Sequence, residues 1–453
     1  MTALNKEVLR LALPSILANL SVPLVGMVDI AIAGHLDVSA AALIGGISVG
    51  SLMFDLLYWN FGFLRAGTGG LTAQAFGRED WKDCSANLVR GVGLALAVAL
   101  LLLAIQWPFQ KLIFFFVGCT DEVRTLALKY FYIRIWAAPA TLSLMAFRGW
   151  FIGMQDTFSS MLTDLVVNGM NVALSLVLAF GVPGTGFGGI GYAGIAWGTV
   201  LAQYSGLAFA IAVIFIKFRK VIGPGLEPWN FRQAFRRATL RRFFSVNRDL
   251  FVRSVCLIVV YLAFTAISAR FGDVLLAACS IMMKLLLIFS YFTDGFAFAG
   301  EALTGRFVGM RAPDSVRQTV RLVFLWSMGI GLLFVGIYAL TGVPLLRLMT
   351  SDGVVVDAAR VFLPWLILIP LVGCPAFTWD GIYTGATATR AMRDSNIGCV
   401  VAFFAVWFAG ICLFRPSGPA AAHLLFAAYY AHLIYRSLYQ TVSYRRSILT
   451  PLL

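Results

Sequence analysis

A chain of 453 residues that is 60% hydrophobic and only 12% charged, with a mean hydropathy of +0.86, has too little polar surface to coat a water-soluble protein of this size. Seven cysteines, an odd number scattered without a C-x-x-C pair, read as small apolar packing residues. Three histidines (His35, His423, His432) show no metal spacing, and these unclustered histidines, with no nucleophile-base pairing or phosphate loop, argue against a membrane enzyme.

The surface must therefore face lipid. Twelve apolar stretches, each near the roughly 20 residues that cross a bilayer as a helix, are read at about 9–34, 40–65, 88–108, 127–149, 158–181, 190–216, 250–270, 274–300, 319–342, 360–387, 395–414 and 418–437. The first is too long for a signal peptide and carries Asp29 and two prolines, so it is read as a span. With the N-terminus placed in the cytoplasm, 26 of the 35 Lys and Arg fall in inner segments and seven in outer ones, while Arg134 and Lys284 lie within spans. This is the positive-inside pattern for an even number of spans with both ends inside. It also accounts for the net charge of +14 without any nucleic acid; the run Arg232, Arg236, Arg237, Arg241 and Arg242 reads as an amphipathic linker beside anionic headgroups.

The chain repeats itself at an offset of 232. Leu71-Thr72 and Gly77 return as Leu303-Thr304 and Gly309, Gly149 and Gly153 return as Gly381 and Gly385, and Pro139 returns one residue out of step as Pro370. A duplicated hydrophobic half is a common way to build a secondary transporter. The expected fold is an all-α integral membrane protein of twelve transmembrane helices in two six-helix lobes. A pseudo-two-fold along the membrane normal relates them, with a cavity between the lobes or inside one. The expected divisions are an N-terminal lobe 1–216, a basic cytoplasmic linker 217–248 with Gly223-Pro224-Gly225, a C-terminal lobe 249–440 and a cytoplasmic tail 441–453.

The chemistry must lie in polar residues that the spans hold despite a cost of roughly 2.5–3.5 kcal/mol for a charge at the helix centre. In the first span Ser15, Asn19, Gly26 and Asp29 share a face, and Asp29, with no obvious cationic partner, is expected to exchange protons near neutral pH. In the fifth span Asp164, Asn168, Asn171 and Ser175 fall at i, i+4, i+7 and i+11. Ser175 lies at the depth of Asp29, so the stripe either joins Asp29 around one site or serves as interhelical hydrogen-bond glue. In the second half Asp294 and Asp380 sit at one depth, inviting a shared proton, a bound cation or neutralisation by Lys284; a purely structural ion pair is the alternative. Asp55, Arg134 and Glu301 are weaker candidates for cavity-facing polar positions.

At these residues the chain resembles a known family. Gly26-Met27-Val28-Asp29, Gly34-His35-Leu36, Phe61-Gly62-Phe63-Leu64-Arg65 and Gly70-Leu71-Thr72-Ala73-Gln74-Ala75-Phe76-Gly77 are similar to the multidrug and toxic compound extrusion (MATE) transporters, in the DinF-like branch. So are Arg134-Ile135-Trp136 with Pro139, Gly149-Trp150-Phe151 and Gly153-Met154-Gln155. The second half adds Tyr291-Phe292, Asp294-Gly295-Phe296-Ala297, Glu301-Ala302-Leu303, Asp380-Gly381 and Gly385-Ala386-Thr387. The resemblance implies a two-lobe antiporter, not an enzyme, that expels amphipathic, often cationic compounds in exchange for H+ or Na+. It implies Asp29 as the coupling residue and bending of the first helix near Pro14. One departure is Ser175, which stands where many relatives carry a second acid; Asp164, three turns away, does not replace it.

H+ is favoured over Na+ because a sodium site wants several oxygens whereas a proton needs one carboxylate. The protein is expected in the bacterial inner membrane as a monomer, with small-molecule substrates, membrane lipid around it, and no organic cofactor, metal or nucleic acid. A flippase for lipid-linked saccharides is the rival reading, against which stands the scarcity of basic residues inside the spans.

Overall fold

The computed structural model describes residues 3–36, 40–182, 184, 186, 188–223 and 235–453. Among these the chain forms twelve helical spans. They are α1 (Ala3–Gly34), α2 (Ala40–Trp59, a 3-10 turn Asn60–Gly62, then Phe63–Gly77), α3 (Trp81–Phe116), α4 (Asp121–Arg134, a 3-10 turn Ile135–Ala137, then Ala138–Gly153), α5 (Thr157–Phe180) and α6 (Tyr192–Lys217). The second set is α7 (Arg237–Ser268), α8 (Asp273–Gly309), α9 (Pro313–Met349), α10 (Gly353–Arg360 then Leu363–Gly385), α11 (Thr389–Phe414) and α12 (Pro419–Tyr444). Ten of the twelve carry an apolar stretch long enough to cross a bilayer; α4 and α12 fall short. The reason is local: α4 holds Arg134 and Arg148, and α12 holds His423, His432 and Arg436; of these the fold pairs Arg134, Arg148, His423 and Arg436 from within.

The chain divides into two compact units, Leu17–Phe243 on one side and Met1–Ile16 with Phe244–Leu453 on the other. The first crossing falls inside α1, two residues past Pro14, and α1 runs unbroken through it. The basic segment differs from the expected linker 217–248. Residues 224–234, including Arg232, lie outside the described residues, but from Arg237 onward the chain is already α7. Arginines are good helix formers, so basic composition does not mark a helix end. Arg242 donates to Gln74 Oε1 at 3.0 Å, fastening the start of α7 to α2. The segment after 440 is also more than a tail: Ile448 and Leu449 are buried, and Tyr383 and Trp379 donate to Gln440 O and Thr441 Oγ1.

The 232-residue repeat reappears as geometry. A Cβ on Gly149 would stand 2.0 Å from Arg65 O, and one on Gly381 would stand 1.9 Å from Ala297 O, which is Arg65 shifted by 232. Gly153 meets Gly69 O at 2.7 Å as Gly385 meets Glu301 O at 2.2 Å. In each unit, then, the second span presses its backbone into glycines of the fourth, a contact that only a residue without a side chain allows. The turns repeat too. Glu79 and Arg311 (φ 57 and 54) follow the second span of each unit, and Gln155 and Thr387 (φ 62 and 49) follow the fourth. Four non-glycine residues in the left-handed region at paired positions are the mark of one duplicated scaffold.

Candidate functional site

In the N-terminal unit the site is built on α1 and α4. Asp29 is 3% exposed, seated five residues before the end of α1. The Tyr130 hydroxyl donates to Asp29 Oδ2 at 3.4 Å, and Arg134 Nη1 donates to that same hydroxyl at 2.9 Å. Tyr130 and Arg134 are four residues apart in α4 and therefore on one face. The Arg134 guanidinium is held over the rings of Phe54 (4.8 Å) and Tyr130 (5.4 Å), and its charge also reaches Tyr58 and Asp55. The expectation that Asp29 lacks a cationic partner is corrected: Arg134 serves it through a tyrosine. The i, i+4 pair inside an apolar span was the available signal. The other oxygen, Asp29 Oδ1, is buried without a hydrogen-bond partner among the described residues. Asp55 is exposed on α2, and Asn19 is half-buried on α1 near the unit crossing.

The polar stripe of α5 divides its contacts. Asn168 Nδ2 donates to Ser21 Oγ of α1 at 2.6 Å. Asn171 Nδ2 donates to Thr199 Oγ1 at 2.9 Å and Ser175 Oγ to Ile195 O at 3.4 Å, both on α6. Asn171 Oδ1 is another buried oxygen without a hydrogen-bond partner among the described residues. Gly194 and Gly198 bring α6 against α5 so closely that a Cβ on Gly198 would lie 2.4 Å from Ser175 Oγ. Asp164 is ion-paired with Arg148 of α4 at 2.5 Å, an interhelical contact of the kind that the glue reading of the stripe describes. Because Ser175 donates into a carbonyl at a glycine-lined contact, Ser175→Asp is expected to destabilise the protein: an ionised carboxylate cannot donate, and it is larger. The loss should exceed the roughly 1 kcal/mol typical of a deleted hydrogen bond, which Ser175→Ala should show. Thermal melting of the two variants in detergent measures the difference, and an unchanged melting temperature for Ser175→Asp would mean that α5 and α6 have room there.

The second unit is arranged otherwise than expected. Asp380 of α10, 8% exposed, is clamped by two arginines: Arg253 of α7 and Arg436 of α12 each pair with Oδ2, Arg436 Nε donates to Oδ1 at 3.1 Å, and Gln440 Nε2 adds a contact at 3.4 Å. Asp294 lies within electrostatic reach of both guanidiniums, and Glu301 within reach of Arg253. Lys284 is not the partner of either acid. Its side chain is exposed on α8, and no ion pair forms to it among the described residues. The sequence reading missed Arg253 and Arg436 because both stand at the ends of the apolar stretches read there, 250–270 and 418–437, where arginine is ordinarily read as interfacial; α7 in fact begins at Arg237 and α12 runs on to Tyr444.

Two units of apolar helices, ten of the twelve long and apolar enough to cross a bilayer and each unit enclosing a charged group paired from within, define a multi-pass membrane protein. The MatE family model matches residues 14–177 and 250–411, one stretch in each repeat, and the chain belongs to that family. It is 32% identical over 398 residues to DNA damage-inducible protein F of Escherichia coli K12, covering 87% of this chain and 83% of the relative. The probable multidrug resistance protein NorM of Thermotoga maritima is 24% identical over 412 residues, covering 90% and 84%. A solved MATE structure in a bent conformation superposes with a TM-score of 0.83 at 16% identity, covering 100% and 96%. The bent form of the Vibrio cholerae MATE transporter VcmN gives 0.81 at 17%, covering 99% and 98%. The twelve-helix MATE fold is thereby shared, the chain is a transporter and not an enzyme, and the saccharide-lipid flippase reading is not favoured.

Proposed function

We propose that the chain is an H+-coupled antiporter exporting amphipathic, often cationic organic compounds, with Asp29 as the coupling carboxyl group. The observation that carries this reading is the asymmetry of Asp29: one oxygen takes the Tyr130 hydroxyl backed by Arg134, while the other is buried with no hydrogen-bond partner among the described residues. A proton needs only that one oxygen. A sodium ion would need several, and it would approach against the charge of Arg134. Asp380 is a poorer coupling residue, since two guanidiniums already neutralise it.

With Asp29 ionised, the Tyr130 hydrogen bond and the Arg134 charge tie α1 to α4. Protonation removes the charge that this tie serves, and α1 is free to adopt a second shape. Pro14, which cannot donate its share of the helix ladder, and the unit crossing at Ile16 favour the change there. Exchange follows if proton and substrate each favour a different shape, which thermodynamic linkage makes reciprocal. The names of the relatives support drug and toxin export, and the charge pattern supports insertion in the bacterial inner membrane with both termini cytoplasmic.

Asp29→Asn keeps the shape of the side chain and removes the titration. In proteoliposomes it is expected to abolish export of a cationic dye driven by a pH gradient while the protein remains folded, and a Na+ gradient is expected to drive no export by either form. Undiminished pH-driven export by the variant, or Na+-driven export by the wild type, would overturn the reading.

A further inference from the structure

On α8 Ser280, Lys284, Leu287, Ile288, Tyr291 and Asp294, each exposed or half-exposed, follow one helical stripe. Lys284 lies eleven residues from the start of α8 at Asp273, or about 16 Å along the axis at 1.5 Å per residue. At that depth an ammonium facing hydrocarbon is costly. The polar company of Ser280, Tyr291 and Asp294 marks this face instead as one that meets water or a polar ligand. Asp294 sits ten residues on, and it is engaged electrostatically by Arg253 and Arg436, while Asp380 is held by the same two arginines. Both acids that could have balanced Lys284 are therefore committed elsewhere, and its charge is left exposed, flanked by Leu287 (44% exposed) and Ile288 (39% exposed).

We propose that Lys284 is an anion-recognition point for the transported amphiphile: the ammonium receives a carboxylate or phosphate group, and Leu287 and Ile288 receive the adjoining apolar body. The chain would then accept anionic or zwitterionic amphiphiles beside cationic ones. This deepens the export reading and rests on it for the word substrate, but the recognition itself is an equilibrium property that binding measures without any coupling.

The test uses the purified full-length protein in nanodiscs of neutral lipid, with three fluorescent probes sharing one alkyl chain and ending in a carboxylate, its methyl ester or a trimethylammonium. The wild type is expected to bind the carboxylate about tenfold more tightly than the ester, the size of one charge-assisted hydrogen bond. Lys284→Met should abolish that preference and leave trimethylammonium binding unchanged, and Lys284→Arg should retain it. Loss of the preference in nanodiscs containing phosphatidylglycerol would support the same site with lipid phosphate as its occupant; persistence there would support the amphiphile itself. A wild type that binds acid and ester equally, or a preference that survives Lys284→Met, overturns the proposal. Because the test reads the ratio of acid to ester binding, which Asp29→Asn should keep whatever it does to overall affinity, a failure of the coupling reading would appear in transport and leave this ratio untouched.

Discussion

Gly381→Leu is expected to prevent folding, and Gly381→Ala to destabilise the C-terminal unit by more than the roughly 1–3 kcal/mol usual for an overpacked core. The Cβ of either variant would fall 1.9 Å from the carbonyl oxygen of Ala297, a backbone atom that cannot rotate away. Relief requires α8 and α10 to separate, which would loosen the shared wall of Phe289, Ile369, Cys374 and Phe334. Gly149→Ala should behave alike, since Arg65 O stands at 2.0 Å. Gly26→Ala is the control: nothing lies within 4 Å of its Cβ, and alanine raises helix propensity by about 1 kcal/mol. Melting temperatures of the purified variants check the series. Wild-type melting of Gly381→Ala would mean that the close approach of the two spans is not a packing constraint.

The second large effect is expected at the arginine clamp. Arg436→Met removes one of the two charges on Asp380 and leaves a buried carboxylate short of compensation, typically costing roughly 3–5 kcal/mol. Arg436 is 3% exposed in its side chain, so water cannot take over the role. Asp380→Asn in the same background should recover part of the loss, because the charge left uncompensated is then gone. Lys284→Met should change the melting temperature little, since Lys284 joins no ion pair among the described residues. Equal losses for Arg436→Met and Lys284→Met, or no recovery in the double variant, would show that the acid is balanced in some other way.

The parts of this fold legible in the sequence were those with a period or an offset. Hydropathy marked the spans, and the shared offset of Gly149 and Gly153 with Gly381 and Gly385 announced a duplication whose physical basis is backbone against backbone. The partners of charged groups were not legible. Asp164 and Arg148 lie on neighbouring spans, and Arg253 and Arg436 reach Asp380 from the two ends of their unit's sequence. Depth along a helix can be counted, but the direction in which an arginine bends depends on packing, and neither was fixed by spacing. Lys284 failed for a related reason: its sequence neighbourhood is as apolar as a buried one, and only the assembled unit reveals that its face is open. Tyr130 and Arg134 came closest to being read, as a polar i, i+4 pair in a span where no polar residue is free of cost.

The central claim is that substrate and proton are linked through Asp29, and the most direct measurement is proton release on binding. Purified protein in weak buffer near neutral pH is mixed with a saturating cationic dye while a pH indicator is followed. The account predicts that the wild type releases protons on binding, that Asp29→Asn binds dye and releases none, and that replacing K+ by Na+ changes neither result. Equal proton release from wild type and Asp29→Asn, or dye binding in the wild type with no proton released at any pH tested, would contradict it.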